Sequence, residues 1–167
     1  MTATTTQDTK LTVQELAAWR GMLRVQAALL REMDAELTAA HGLPLRSYEV
    51  LLHLEDAPDN RQRMTELCHD VVLSASGVSR LVDRLEKDGY VRRERCACDG
   101  RGFFAVLTPG GRRKLQEARA THLTGVRRLF LERLQAGDLA RLADYWEMLV
   151  PGSTAATADA GRGEACA

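Results

Sequence analysis

Several features of secreted, membrane and enzymatic proteins are missing from this chain. No apolar run approaches the roughly 18 residues that a membrane span needs, so no membrane partner is expected. The N-terminus is rich in threonine and has no apolar signal core, which leads to the expectation of a cytoplasmic protein. The 167 residues hold four cysteines, and without a signal peptide these are expected to be reduced thiols rather than a disulfide framework. Aromatic residues make up only 5% of the chain, and helix formers dominate. No internal repeat is present. Lys plus Arg and Asp plus Glu each number 23, so a general affinity for polyanions is not built into the composition.

Enzymatic signatures are also lacking. Nothing resembles a phosphate-binding glycine loop, a dinucleotide fingerprint or a nucleophile elbow. His41, His53, His69 and His122 are scattered. His69 beside Cys68 supplies two donors, half of a metal site, but the paired ligand spacing of structural zinc is missing. No catalytic residue, metal site or cofactor is expected. Cys68 fits a small core position between Leu67 and Val71.

The segment from Val72 to Thr108 is the most informative part of the chain. Val78, Leu81, Val82 and Leu85 recur at i, i+3, i+4 and i+7, which makes one apolar stripe of a helix. Ser76, Arg80, Asp83 and Lys87 lie opposite, flanked by Ser79 and Arg84. Gly89 ends the helix by taking the left-handed conformation. Just upstream, the run from Met64 to Val71 predicts a two-turn helix, with Thr65 as N-cap and Glu66 in its first turn. The connection Val72-Leu73-Ser74 is short, as a helix-turn-helix needs. Two β segments follow, Tyr90–Arg95 and Phe103–Leu107, joined by a turn from Cys96 to Gly102 that contains Asp99-Gly100. From Arg92 to Lys114, seven basic residues stand against Glu94 and Asp99, a local excess of five positive charges on a neutral chain. A helix able to enter a groove, followed by a basic hairpin, is the layout of a winged helix-turn-helix that reads double-stranded DNA.

The remaining helices are marked by their ends. Thr12 and Glu15 form a capping box, and Leu16, Leu23, Leu30 and Leu37 repeat every seven residues. A helix from Thr12 to about Ala40, roughly 40 Å long, either packs across a dimer or lies in its own core. A second helix follows Pro44 and ends before the loop Asp56–Asn60. Thr108 and Pro109 start a third, expected to run to about Gln135, with Gly137 as a break and Asp138 capping the last helix.

Three stretches resemble one family. Asp99-Gly100-Arg101 with Leu107-Thr108 and Gly111 is similar to the wing signature of the multiple antibiotic resistance regulator (MarR) family. Gly77 to Gly89 resembles that family's recognition helix, and His41-Gly42-Leu43 with Ser47 to Leu51 resembles its first helix junction. The match covers about Leu11 to Val150. It departs from the pattern in the wing, at Cys96 and above all at Cys98.

The expected fold is mainly α, with a small β component. A winged helix-turn-helix spans about 44–108, and a helical dimerisation layer comes from about 12–40 and 109–150. Residues 1–10 and 151–167 are expected to be disordered. The expected function is a homodimeric repressor of a pseudo-palindromic operator. The candidate DNA-contacting residues are Thr65, Ser74, Ser76, Ser79, Arg80, Arg84, Asp99 and Arg101. Arg101 reaches the minor groove, and Asp99 holds its guanidinium extended. The resemblance further implies a small, often aromatic ligand between the dimer layer and the DNA-binding lobe. Trp19, Tyr48 and His122 either line such a pocket or fill the core. Two alternatives stand beside this reading. One is a thiol- or metal-responsive sensor on the same fold, using Cys96, Cys98 or Cys68 with His69. The other is a helical dimer that binds protein and not DNA.

Overall fold

The computed structural model describes residues 10–71, 73–96 and 102–154. Helix α1 spans Val13–His41, α2 Leu45–Asp56, α3 Met64–Asp70, α4 Ala75–Lys87, α5 Pro109–Leu129 and α6 Ala136–Leu149. Strands β1 (Arg61–Arg63), β2 (Val91–Arg95) and β3 (Phe103–Leu107) form an antiparallel sheet in the order β1-β3-β2. The core joins Leu37 of α1 and Leu115 and Ala118 of α5 to the apolar faces of α2, α3, α4 and the sheet.

Most element ends follow from side chains visible in the sequence. The Thr12 backbone N–H donates to Glu15 Oε2 at 2.7 Å, and Glu15 N–H donates back to Thr12 Oγ1 at 3.2 Å. That reciprocal cap holds the Glu15 carboxyl below its usual range. Gly42 closes α1 at φ 60°. Helix α4 buries Val78, Leu81, Val82 and Leu85. It ends at Gly89, φ 75°, where Gly89 N–H reaches Glu86 O and Tyr90 N–H reaches Leu85 O at 2.8 Å. This is the paired bonding of a Schellman end, which leaves few terminal carbonyls unsatisfied. Thr108 caps α5 with Pro109 at its first position, and Gly111 N–H donates to Thr108 Oγ1 at 3.0 Å.

Five local expectations are corrected. Helix α3 begins at Met64 with Arg63 as N-cap, because β1 feeds directly into it, and Glu66 accepts from Arg63 N–H at 3.2 Å. Thr65 therefore lies exposed within the first turn. Strand β1 was not expected from its residues; it pairs Arg61–Arg63 with Val106–Phe104. Helix α5 stops at Leu129, where Phe130 leaves helical geometry, and a 3-10 turn covers Leu131–Arg133. Helix α6 starts at Ala136, so Gly137 and Asp138 lie inside its first turn, where an acid suits the helix dipole. Residues 151–154, expected in the tail, form a turn folded onto α6, with Glu147 Oε1 accepting from Gly152 N–H at 2.6 Å.

The heptad leucines of α1 divide into two groups. Leu37 is fully buried and Leu30 packs against the core, whereas Leu23 is 43% exposed. Exposed apolar side chains remain on three helices: Trp19 on α1, Leu123 on α5, and Tyr145, Trp146, Met148 and Leu149 on α6.

Candidate nucleic-acid interface

Helix α4 offers its polar face from a fixed base. Ser74 Oγ accepts from Gly77 N–H at 3.2 Å, so Ser74 is the N-cap of α4. Its hydroxyl also lies 3.2 Å from that of Ser76. Arg80 Nε donates to Ser76 O at 3.2 Å, which lays the guanidinium back along the helix. Ser76, Arg80 and Arg84 are exposed, and Ser79 is half-buried. Thr65 and Ser79 line one open cleft between α3, α4 and the sheet, together with Met64, Cys68 and Phe103. The structure thus brings Ser74, Ser76, Ser79 and Arg80 together, with Thr65 beside them. Ala97, Cys98, Asp99, Gly100 and Arg101 lie outside the described residues.

The basic excess around the hairpin is partly spent inside the protein. Arg92 pairs with Glu94. Arg93 pairs with Asp83 and Glu86. Arg112 lies 3.5 Å from Glu55 and also donates to Asn60. Lys114 lies 3.9 Å from Glu117. The guanidiniums of Arg61 and Arg63 lie over the Phe104 ring, and that of Arg95 over Phe103. Counted along the chain, Arg93 is one more cation of the patch, and its partners do not show there. Asp83 and Glu86, spaced i,i+3 on one helix flank just before the turn into β2, were the available signal.

Tyr48 and His122 are brought together and Trp19 is not. The Tyr48 and His122 rings stack at 4.4 Å between centroids. The positive charge of Arg119, which pairs with Glu55, acts on the Tyr48 hydroxyl. Burial raises the Tyr48 hydroxyl above its usual range and lowers the His122 imidazole below its own. His122 Nδ1 is buried with no hydrogen-bond partner among the described residues. Trp19 is 54% exposed, about 20 Å along α1 from Met33, which with Glu36 lies beside Gly125 of α5. Cys68 donates to Met64 O at 3.0 Å, and Cys96 is buried with Arg63 Nη2 at 3.4 Å from its sulfur. No group of three metal-ligating side chains occurs among the described residues. No helix among them is long and apolar enough to cross a membrane.

A short helix, a short connection, an amphipathic helix with a polar outer face and a basic hairpin together define a winged helix-turn-helix transcriptional regulator. A MarR family model matches residues 41–102. AbsC, a MarR family transcriptional regulator from Streptomyces coelicolor, is 34% identical, with 84% of this chain and 94% of that chain covered at a TM-score of 0.78. Sco3205, a MarR family regulator from the same organism solved in complex with DNA, is also 34% identical, with 86% and 93% covered at a TM-score of 0.80. The HTH-type transcriptional repressor YetL of Bacillus subtilis (strain 168) is 30% identical over 88 residues, 53% of this chain and 53% of YetL, so the match spans about half of that relative. The chain belongs to the MarR family, whose members are transcriptional regulators and not enzymes.

Proposed function

We propose that the protein is a DNA-binding repressor that acts in the cytoplasm as a homodimer on a pseudo-palindromic operator. The observation that carries this reading is the exposed polar face of α4, with Ser76, Arg80 and Arg84 held over a fully buried apolar stripe beside the arginine-rich hairpin. Each α4 enters a major groove, and half-sites are spaced about 10 bp centre to centre. Ser76, Ser79 and Arg80 contact bases or the adjacent phosphates, with Thr65, Ser74 and Arg84 at the edges of the same surface. Arg101 lies in or over the minor groove, oriented by Asp99. The DNA complex of Sco3205 and the repressor name of YetL support binding and direction of control.

The homodimer is supported by the exposed apolar side chains on α1, α5 and α6. A small aromatic acid that relieves repression is supported by the Tyr48–His122 stack, in which His122 Nδ1 is buried with no hydrogen-bond partner among the described residues. Such a ligand must favour a conformation whose half-site spacing no longer fits the operator, since equal affinity for both states shifts nothing.

The test is selection of bound fragments from sheared genomic DNA with purified protein, followed by gel shifts on the recovered motif. A two-fold symmetric motif is expected. Arg80→Ala and Arg101→Ala should each weaken binding by roughly 1–3 kcal/mol, and Arg80→Ala should also relax sequence preference. Recovery of no symmetric motif, or wild-type affinity in both variants, rejects the assignment.

A further inference from the structure

Arg93 sits in the most basic run of the chain, yet its guanidinium turns inward. Its Nη1 donates to Asp83 Oδ1 at 2.5 Å and to Glu86 Oε2 at 2.9 Å, and its Nη2 donates to Ser79 O at 3.1 Å. Its backbone N–H donates to Glu86 Oε1 at 3.1 Å, so one carboxylate grips both the strand and the side chain. The Arg93 side chain is 22% exposed, against 55% for Arg92 next to it. Arg93 and Arg95 leave β2 on the face opposite Arg92 and Glu94, because strand side chains alternate.

The two carboxylates stand on the helix that carries the candidate base-reading residues. Asp83 follows Arg80 by three positions and Ser76 by seven, on the stripe that points away from the core. Asp83 is 56% exposed and Glu86 40%. Left alone, both would repel a phosphate backbone at close range. Among the described residues, Arg93 is the cation that pairs with either of them. Three of its five N–H donors are committed to two carboxylates and a carbonyl, so a phosphate would have to compete with anions held in place.

We propose that Arg93 is a positioning residue for DNA binding. It neutralises Asp83 and Glu86, bolts α4 to β2 at a fixed angle, and touches no phosphate itself. This inference rests on the DNA-binding reading above and says which arginine of the patch does not belong to the contact surface.

The test uses the full chain and a mixed-sequence 30-bp duplex, because the phosphate term is independent of sequence. Affinity is read by fluorescence anisotropy across a salt series, with a melting curve for each variant. Arg93→Ala should bind about tenfold more weakly at low salt, since it exposes both carboxylates. Arg93→Ala with Asp83→Asn restores the net charge of the cluster and should return to within about threefold of wild type, with the wild-type slope of log affinity against log salt. Asp83→Asn alone keeps Arg93 on Glu86, does not depend on the folding of the alanine variant, and should bind about threefold more tightly than wild type. The inference is overturned if the double variant stays as weak as Arg93→Ala with the slope reduced by about 0.9 per subunit, the mark of a lost phosphate contact. It is also overturned if Asp83→Asn binds no more tightly than wild type. If wild type itself shows no salt-dependent duplex binding, the DNA-binding reading fails first and separately.

Discussion

Gly111→Ala tests how tightly the dimer-layer helix is fastened to the winged lobe. Gly111 is the third residue of α5, is buried, and has an ordinary helical backbone. An alanine in an open helix position would gain about 1 kcal/mol. Here the new Cβ would lie 2.1 Å from Tyr90 O and 2.9 Å from Leu107 Cδ1. A carbon and a carbonyl oxygen need about 3.3 Å, so α5 and the start of β2 must separate by about 1 Å. The same Tyr90 carbonyl accepts from Thr108 N–H at 3.1 Å and from Thr108 Oγ1 at 3.0 Å, and Thr108 Oγ1 also reaches Gly89 O at 2.7 Å. A 1 Å displacement breaks the N–H bond and leaves the single Thr108 hydroxyl proton on Gly89 O. The lost hydrogen bond costs about 1 kcal/mol, overpacking adds about 1–3 kcal/mol, and helix propensity returns about 1 kcal/mol. The expected net loss is about 2 kcal/mol, a fall in melting temperature of about 4–8 °C for a chain of this length. Thermal denaturation at fixed protein concentration, followed by circular dichroism, measures it. Gly137→Ala is the matched control: nothing lies within 4 Å of its Cβ in the first turn of α6, and it should melt no lower than wild type. A Gly111→Ala protein that melts within about 2 °C of wild type would refute the packing argument.

Three further outcomes are expected. Ser74→Ala should lose about 1 kcal/mol of stability, because Ser74 caps α4, whereas Ser76→Ala should leave stability unchanged and weaken only DNA binding; urea titrations and gel shifts on both variants check this, and an unstable Ser76→Ala would contradict it. Burial lowers the His122 imidazole below its ordinary 6.5, so the unfolded chain binds the extra proton first and the stability from the neutral ring is lost as pH falls below 6.5; His122→Phe keeps the stack and should flatten that loss in urea midpoints measured from pH 7.5 to 5, and an unchanged slope would show that the proton binds elsewhere. Cys96→Ser with Cys98→Ser should leave operator affinity nearly intact, since Cys96 is buried under Arg63; reversible, peroxide-induced release that vanishes in the double variant would instead establish a thiol switch.

Where a single side chain decides an element's end, the sequence was enough. The Thr12–Glu15 box, the Gly89 stop, and Thr108 with Pro109 each act within four residues, and the apolar stripe of α4 is complete within one helix. Where a distant partner decides, it was not. Strand β1 is Arg-Gln-Arg, which has no strand preference of its own, and it exists because β3 offers an unpaired edge. The end of α5 falls at Leu129-Phe130, where no glycine or proline announces it. The polar face of α4 was legible as a site. The inward turn of Arg93 was not, because charge counted along a chain says nothing of which carboxylates lie within reach in space. Tyr48 and His122 are 74 positions apart, and only the packing of α2 on α5 joins them.

The sheet order β1-β3-β2 gives the arginines a second consequence. Strand β3, Phe103-Phe104-Ala105-Val106-Leu107, is short, uncharged and rich in β formers, the composition of a segment prone to stack with its own copies. It occupies the middle of the sheet, and both edges are cationic: Arg61 and Arg63 on one side, Arg92, Arg93 and Arg95 on the other. Charged edge strands discourage sheets of neighbouring molecules from joining. Each arginine-to-alanine variant made to probe DNA binding at β1 or β2 therefore also strips a gatekeeper from a sheet edge. In such variants a loss of soluble protein reports on self-association, and it should be separated from a loss of affinity before either is assigned to the operator.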